Sequence, residues 1–317
     1  MKGKLFVMGA IAMGLAVLPP SAAGEDLVKE SLATFSPATI RLEFARPATL
    51  RTLPNYASLS QRYVAPRLRA LQDSFAKLGV GENDIDEVLL AWRPGSSAMD
   101  LDGLVAGRFT ARSMASRATA NGITANAMGG QSAYCLDATG GTTCLVVLRD
   151  GLGVFGTQDG LSAMLDIRSG SAPNLSTNER LTKLLGEVST QAPIWGVAVG
   201  EAVPDWFRAW MPGQGNIQLD WSKAFQSVEA LAYSVEIAGA IKLDAKMDCT
   251  EDQAAESTRQ IFEGLRMFQQ MAWQSTNPGK PNPFQSVEIA RDGRRVSLKM
   301  TTSFDDLQAF PASGVGF

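Results

Sequence analysis

Apolar and polar positions along the chain alternate with two periods, and the switches between them mark the elements. Residues 39–45 read as an opening strand. Val64, Leu68, Leu71, Phe75 and Leu78 then recur at spacings of four and three, the stripe of a helix with one buried face, and Gly79 suits its C-terminal cap. Residues 86–92 and 103–109 read as strands, and Thr110 opens the next helix. Residues 132–136 and 143–149 form a hairpin, with a third strand at 153–156. A second series starts at 193–199 and continues through a Trp-rich helical turn to strands at 228–237 and 241–248. Thr250-Glu251-Asp252-Gln253 has the composition of a capping box, and Ala254, Ile261, Leu265, Phe268 and Ala272 form the inward stripe expected of the helix behind it. Residues 287–290 and 296–300 close as a hairpin around Asp292-Gly293, a strong turn signal.

The two series resemble each other. Asp86-Glu87-Val88-Leu89-Leu90-Ala91 matches Val228-Glu229-Ala230-Leu231-Ala232-Tyr233, with Glu and Leu aligned 142 positions apart. Phe109-Thr110 precedes a helix as Cys249-Thr250 does, and Arg149-Asp150-Gly151 with Val154 matches Arg291-Asp292-Gly293 with Val296. Three matches in order at nearly one offset argue for an internal duplication. The expected organisation is a first α+β repeat over 24–170, a helical linker over 171–190, and a second repeat over 191–317. Ser176-Thr177-Asn178-Glu179 is a capping box that opens the linker's helix. Hairpins mixed with helices place the chain in the α+β class, as two tandem repeats of mainly antiparallel sheet with packed helices.

The segment before the first repeat carries an address. Lys2 and Lys4 form a basic head, residues 5–18 are apolar or small, and Pro19-Pro20 breaks the run before Ser21-Ala22-Ala23. That order of charge, apolar stretch and small-residue exit is a secretory signal, read as residues 1–23 with cleavage after Ala23. The run is shorter than the roughly 20 apolar residues of a membrane span, and no later stretch is long enough. The expected location is periplasmic or secreted, with no transmembrane segment in the mature chain.

Composition then narrows the chemistry. A hydrophobic content of 45% suits a sizeable core, and a formal net charge of −3 without a basic cluster argues against nucleic-acid binding. The chain has no histidine, which removes Ser-His-Asp and Cys-His catalysis and the His-ligated zinc, copper and iron sites. Its three cysteines are too few for an all-thiolate tetrahedral zinc site. No cofactor, metal ligand or catalytic residue is expected, and an enzyme would have to work through carboxylates, lysine, tyrosine or a loosely held hard cation.

The stretch 85–92 leading into 103–110, the hairpin at 149–154 and the close at 284–300 resemble secreted bacterial proteins of uncharacterised function built from a duplicated α+β unit. The resemblance covers most of the mature chain. It implies export and the duplicated architecture, and brings no activity or site residue.

Several motifs read as structure. Gly151-Leu-Gly153-Val-Phe-Gly156 fits G-x-G-x-x-G, but its counterpart in the second half, Gly293-Arg-Arg-Val-Ser-Leu, is a plain hairpin strand, and the helix near Leu161 is short. Ser74-Phe-Ala-Lys77 fits S-x-x-K, yet Ser74 lies near a helix end and the companion elements of a penicillin-binding enzyme do not occur. Asp84, Asp86, Glu87, Asp100 and Asp102 lack calcium-loop spacing and read as solvated loop acids.

Two features are more specific. If Thr139-Gly140 is a two-residue hairpin loop, Ala138 faces Gly141 and Cys135 falls opposite Cys144 at a non-hydrogen-bonded position, where side chains approach most closely. An oxidising compartment then joins them; unbridged thiols on adjacent strands are the alternative. Cys249 is left over as a buried apolar thiol, in the place Phe109 takes in the first half. Trp206, Phe207, Trp210 and Met211 crowd into one helical turn after Pro204, with Trp206 and Trp210 on a shared face. They either pin a helix to its sheet or form an aromatic interaction surface for an envelope protein, glycan or lipid. The functional expectation is an exported, non-catalytic binding or interaction protein; the alternative is a histidine-free, carboxylate-based hydrolase.

Overall fold

The computed structural model of the 317-residue chain describes residues 23–54, 56–63, 66–95, 99–138, 141–210 and 220–309. The signal-like segment before Ala23 lies outside them. In chain order the first half comprises α1 (Ala23–Thr34), β1 (Arg41–Ala45), α2 (Pro47–Leu50), α3 (Tyr56–Tyr63), α4 (Pro66–Ala76), β2 (Ile85–Pro94), β3 (Met99–Gly107), α5 (Ala111–Ala120), β4 (Ala125–Met128), β5 (Gln131–Ala138), β6 (Gly141–Arg149), β7 (Leu152–Gly156) and α6 (Gln158–Arg168). After α7 (Glu179–Leu185), the second comprises β8 (Ile194–Val199), α8 (Ala202–Trp210), α9 (Trp221–Ala224), β9 (Val228–Ile237), β10 (Ile241–Cys249), α10 (Asp252–Thr276), β11 (Glu288–Asp292), β12 (Arg295–Thr302) and α11 (Phe304–Ala309).

The strands form one antiparallel sheet in the order β11-β12-β10-β9-β8-β1-β2-β3-β7-β6-β5-β4. The fold is α+β. Its midline is the pair β1–β8, and outward from it both halves run first strand, second, third, then a hairpin, with β5 and β4 added beyond the hairpin in the first half only. The hairpin β6–β7 turns at Gly151 (φ +78°) and β11–β12 at Gly293 (φ +54°), both in the left-handed region that glycine enters without strain.

Irregularities coincide as well. Asp86 is an extra residue between Ile85 and Glu87 opposite β3, and Glu229 is the extra residue between Val228 and Ala230 opposite β10. Arg108 N–H donates to Asp84 C=O as Thr250 N–H donates to Ser227 C=O, and Gly107 N–H to Gly151 C=O as Cys249 N–H to Arg294 C=O. This pairs Asp86 with Glu229, one residue off the alignment of Glu87 with Glu229 drawn from the sequence. In a strand a one-residue slip reverses the face: Leu89 and Leu231 point to opposite sides of the sheet, and Val88 is the residue that shares a face with Leu231.

Helices cover the two faces unequally. On one face α1, α6 and α7 seal a core of Leu42, Phe44, Leu89, Leu104, Val154, Trp195 and Val197 that crosses the midline. The segment expected to be a linker therefore supplies core, with Leu181, Leu184 and Leu185 of α7 buried. Asn178 caps α7 by accepting the Leu181 N–H, two residues beyond the serine anticipated for that role. The other face carries two separate cores. Leu71, Phe75, Leu78, Met114 and Phe155 gather under α4 and α5, and Phe207, Phe225, Leu231, Met247 and Phe262 under α8, α9 and α10. Val64 lies outside the described residues.

On α10 the buried residues are Ala255, Thr258, Phe262 and Trp273, while Ile261 and Leu265 are half-buried and Phe268 is exposed. The helix is thus rotated by about 100°, one residue, from the stripe expected of it. It begins one residue late, with Glu251 at the N-cap and no side-chain cap, because Thr250 still belongs to the strand ladder through its N–H.

Candidate functional site

Between the two cores of the second face, at the midline, lies a buried polar group that the sequence reading did not single out. Arg41 and Glu43 are alternate residues of β1 and so share a face. The Arg41 guanidinium donates to Glu43 Oε1 through Nε (3.1 Å) and Nη2 (2.7 Å), and stands 4.2 Å from the ring centroid of Trp92 on the neighbouring strand. Arg41 is 3% exposed. Burying a cation this deeply is tolerable only with a carboxylate and further donors and acceptors around it.

The remaining partner arrives from the other half. Glu43 faces Gly196 across the β1–β8 pair, and Gly196 faces Tyr233 across β8–β9. Since Gly196 has no side chain, the Tyr233 ring lies over it and its hydroxyl donates to Glu43 Oε1 at 3.0 Å. Burial pushes the Tyr233 phenol well above its ordinary range, the Glu43 charge adds to this, and Arg41 and a hydrogen bond with Trp206 oppose it. The phenol therefore remains a proton donor. Trp206 packs against Tyr233 with ring centroids 5.1 Å apart. One charge pair from the first half and one phenol from the second thus meet across the seam.

The aromatic cluster of α8 is divided by this arrangement. Trp206 is half-buried against Tyr233, whereas Phe207 is 1% exposed and stacks on Phe225 at 3.8 Å. Phe207 is core and contributes nothing to a surface, because its position one residue round the helix turns it into the sheet; this corrects its inclusion in the aromatic surface. The side chain of Trp210 and all of Met211 lie outside the described residues.

Cys135 and Cys144 are directly opposite on β5 and β6 and are joined, with Cα atoms 3.9 Å apart. Cys249 is a free, buried thiol against Thr258, and burial pushes its pKa up. Ser74 is buried and donates to Ala70 C=O, away from any nucleophile's position, while Lys77 faces solvent.

Most of the suspected loop acids are held in place by arginines. Arg46 binds Glu87 (2.9 Å), Arg51 approaches Asp86 (3.6 Å), and Arg93 binds both Asp100 (3.0 Å) and Asp102 (2.9 Å). Asp84 accepts the Gly81 N–H in a turn. Glu87 and Asp102 are buried rather than solvated, and burial raises both above the carboxylate range against the pull of their arginines. No cluster of three or more potential metal ligands occurs among the described residues.

No family model matches the chain, and no curated protein does. Among solved structures, crystal form III of TP0453 superposes with a TM-score of 0.54 at 10% identity, covering 89% of this chain and 98% of that one. Crystal form I of TP0453 gives 0.50 at 10% identity, over 90% and 98%. At this identity the likeness is one of fold.

The large exposed apolar side chains among the described residues are Met267 (58%), Phe268 (38%) and Met271 (62%), all on the outer face of α10. With Gly264 they recur at i, i+3, i+4 and i+7, a single stripe. The charged residues of α10 take one flank instead, where Arg259 pairs with Glu256 (2.8 Å) and Arg266 with Glu263 (2.6 Å).

Proposed function

We propose that this chain is an exported, non-catalytic interaction protein of the cell envelope, built from two copies of one α+β unit, and that it meets its partner through the outer face of α10. The observation that carries this reading is the stripe Met267, Phe268 and Met271. Large apolar side chains left together in water on one helix mark contact sites, and methionine adapts its shape to what it touches. The signal-like segment at 1–23 and the Cys135–Cys144 bond support an oxidising compartment. The shared strand order, bulge position and turn glycines support tandem duplication.

The two carboxylates raised by burial speak against the hydrolase alternative. Burial raises both, Glu87 with Asp86 and Asp26 adding to its rise and Asp102 with Asp100, and each is held in an ion pair, Glu87 by Arg46 and Asp102 by Arg93. Paired acid and base roles need two carboxyl groups at one reacting centre.

The test is capture from envelope extract with the wild-type protein and with a Met267→Glu/Met271→Glu variant, after the variant's fold is verified by its melting curve. Captured species that vanish with the variant support the surface; an identical set with both proteins overturns it. N-terminal sequencing of native protein tests export, and a cytoplasmic chain that retains Met1 overturns that part.

A further inference from the structure

We infer that the partner of the α10 stripe is a second copy of this chain, docked on it as an antiparallel helix pair about a two-fold axis; the inference rests on reading that stripe as the interaction surface. The order of side-chain sizes along the stripe supports a self-pairing. Gly264 is small, Met267 and Phe268 are large, and Met271 is large. A two-fold axis passing between positions 267 and 268 places Met271 of each helix opposite Gly264 of its mate, and Met267 of each opposite Phe268 of the other. The stripe is therefore complementary to itself when reversed, as an isologous contact requires.

The described residues do not account for Gly264. A glycine inside a helix is unfavourable relative to alanine. Among the described residues nothing lies within 4 Å of where its Cβ would be, so none of them demands its absence. A hole that accepts the methionine of a second copy accounts for it. Charge agrees: from Met267 through Gly279 the sequence has no ionisable side chain, so two copies bring no like charges together. The charged flank is occupied within the chain, with Arg291 lying 3.5 Å from Glu256 and the Arg266 guanidinium donating to Val287 C=O. A lipid surface is the less favoured occupant, because membrane-surface helices line their polar edges with free Lys and Arg, whereas Arg259 and Arg266 beside this stripe are paired within the chain and the rest of its rim is Gln260, Gln274 and Ser275.

The contact is small beside the roughly 800 Å² per partner of a standard interface, so the pair should be concentration-dependent. Sedimentation of the purified full chain over a wide concentration range should show a monomer–dimer equilibrium. Gly264→Met sets methionine against methionine, and Met271→Gly sets hole against hole; each should weaken dimerisation about tenfold or more. The double variant Gly264→Met/Met271→Gly restores a large residue opposite a small one and should return the constant to within about threefold of wild type, a coupling of adjacent sites. Melting curves confirm that each variant is folded, and Gly264→Met should melt no lower than wild type. A monomer at every concentration overturns the inference, as does a dimer indifferent to the single variants or a swap that fails to rescue. If the wild type is monomeric while Met267→Glu/Met271→Glu still abolishes envelope capture, the self-pairing falls and the interaction surface stands.

Discussion

Tyr233 occupies the space that a side chain at Gly196 would need: a Cβ there would sit 2.6 Å from the phenol ring. The absence of one methyl group on β8 lets a residue of β9 reach a carboxylate on β1. The midline thus has a lock with one part from each half, and several outcomes depend on it.

Gly196→Ala should destabilise the protein by about 1–3 kcal/mol, the usual penalty for overpacking a filled core. The effect should shrink when Tyr233 is first cut back to alanine, since the clash is with its ring. Urea unfolding of the four members of this cycle measures the coupling, and additive effects would contradict the geometry.

Tyr233→Phe removes one donor to Glu43 and should lower stability by about 1 kcal/mol. Glu43→Leu should do far more, about 3–5 kcal/mol, because it leaves the Arg41 cation buried without its carboxylate. A larger loss from the phenol than from the carboxylate would refute the hierarchy.

Reducing Cys135–Cys144, or replacing both with alanine, should remove about 2–3 kcal/mol by restoring freedom to a short loop in the unfolded chain. Peptide mapping without reductant should recover these two cysteines linked. Cys249 should resist alkylation until the protein unfolds.

Asp102 has a raised carboxyl pKa in the folded protein, from burial above all. Between its unfolded and folded values the native state holds the extra proton, so its contribution to stability is greatest below the unfolded value, near pH 4, and is lost as pH rises through the folded one. Asp102→Asn does not titrate. The melting temperature of the variant relative to wild type should therefore climb from pH 4 to pH 7.5, and a difference that falls over that range would reverse the assignment.

Local grammar made much of the architecture legible. Asp150-Gly151 and Asp292-Gly293 announce their hairpins, and counting back from Ala138 and Gly141 places Cys135 opposite Cys144, as found. The phase of α10 was harder to read because apolar residues occupy nearly all sides of it. Ile261, Leu265 and Phe268 describe one stripe, Ala255, Phe262 and Trp273 another, and packing under the sheet selects the second. The midline network was half visible: Arg41 and Glu43, opposite charges two apart in an otherwise apolar strand, signal a pair on one face. Their third member lies 190 positions away on β9, where no local pattern points back to β1.

The place of β1 in the middle of the sheet has a consequence for biogenesis. β1 is made early, and its register with β2 can close as soon as the first half emerges, but its other edge is filled only by β8, some 150 residues later. Until then a row of free amides flanked by Leu42 and Phe44 forms a template for any passing strand. A polypeptide ending near residue 170 should accordingly fold much of its sheet and then aggregate through that edge, and adding the 171–317 segment in trans should rescue it.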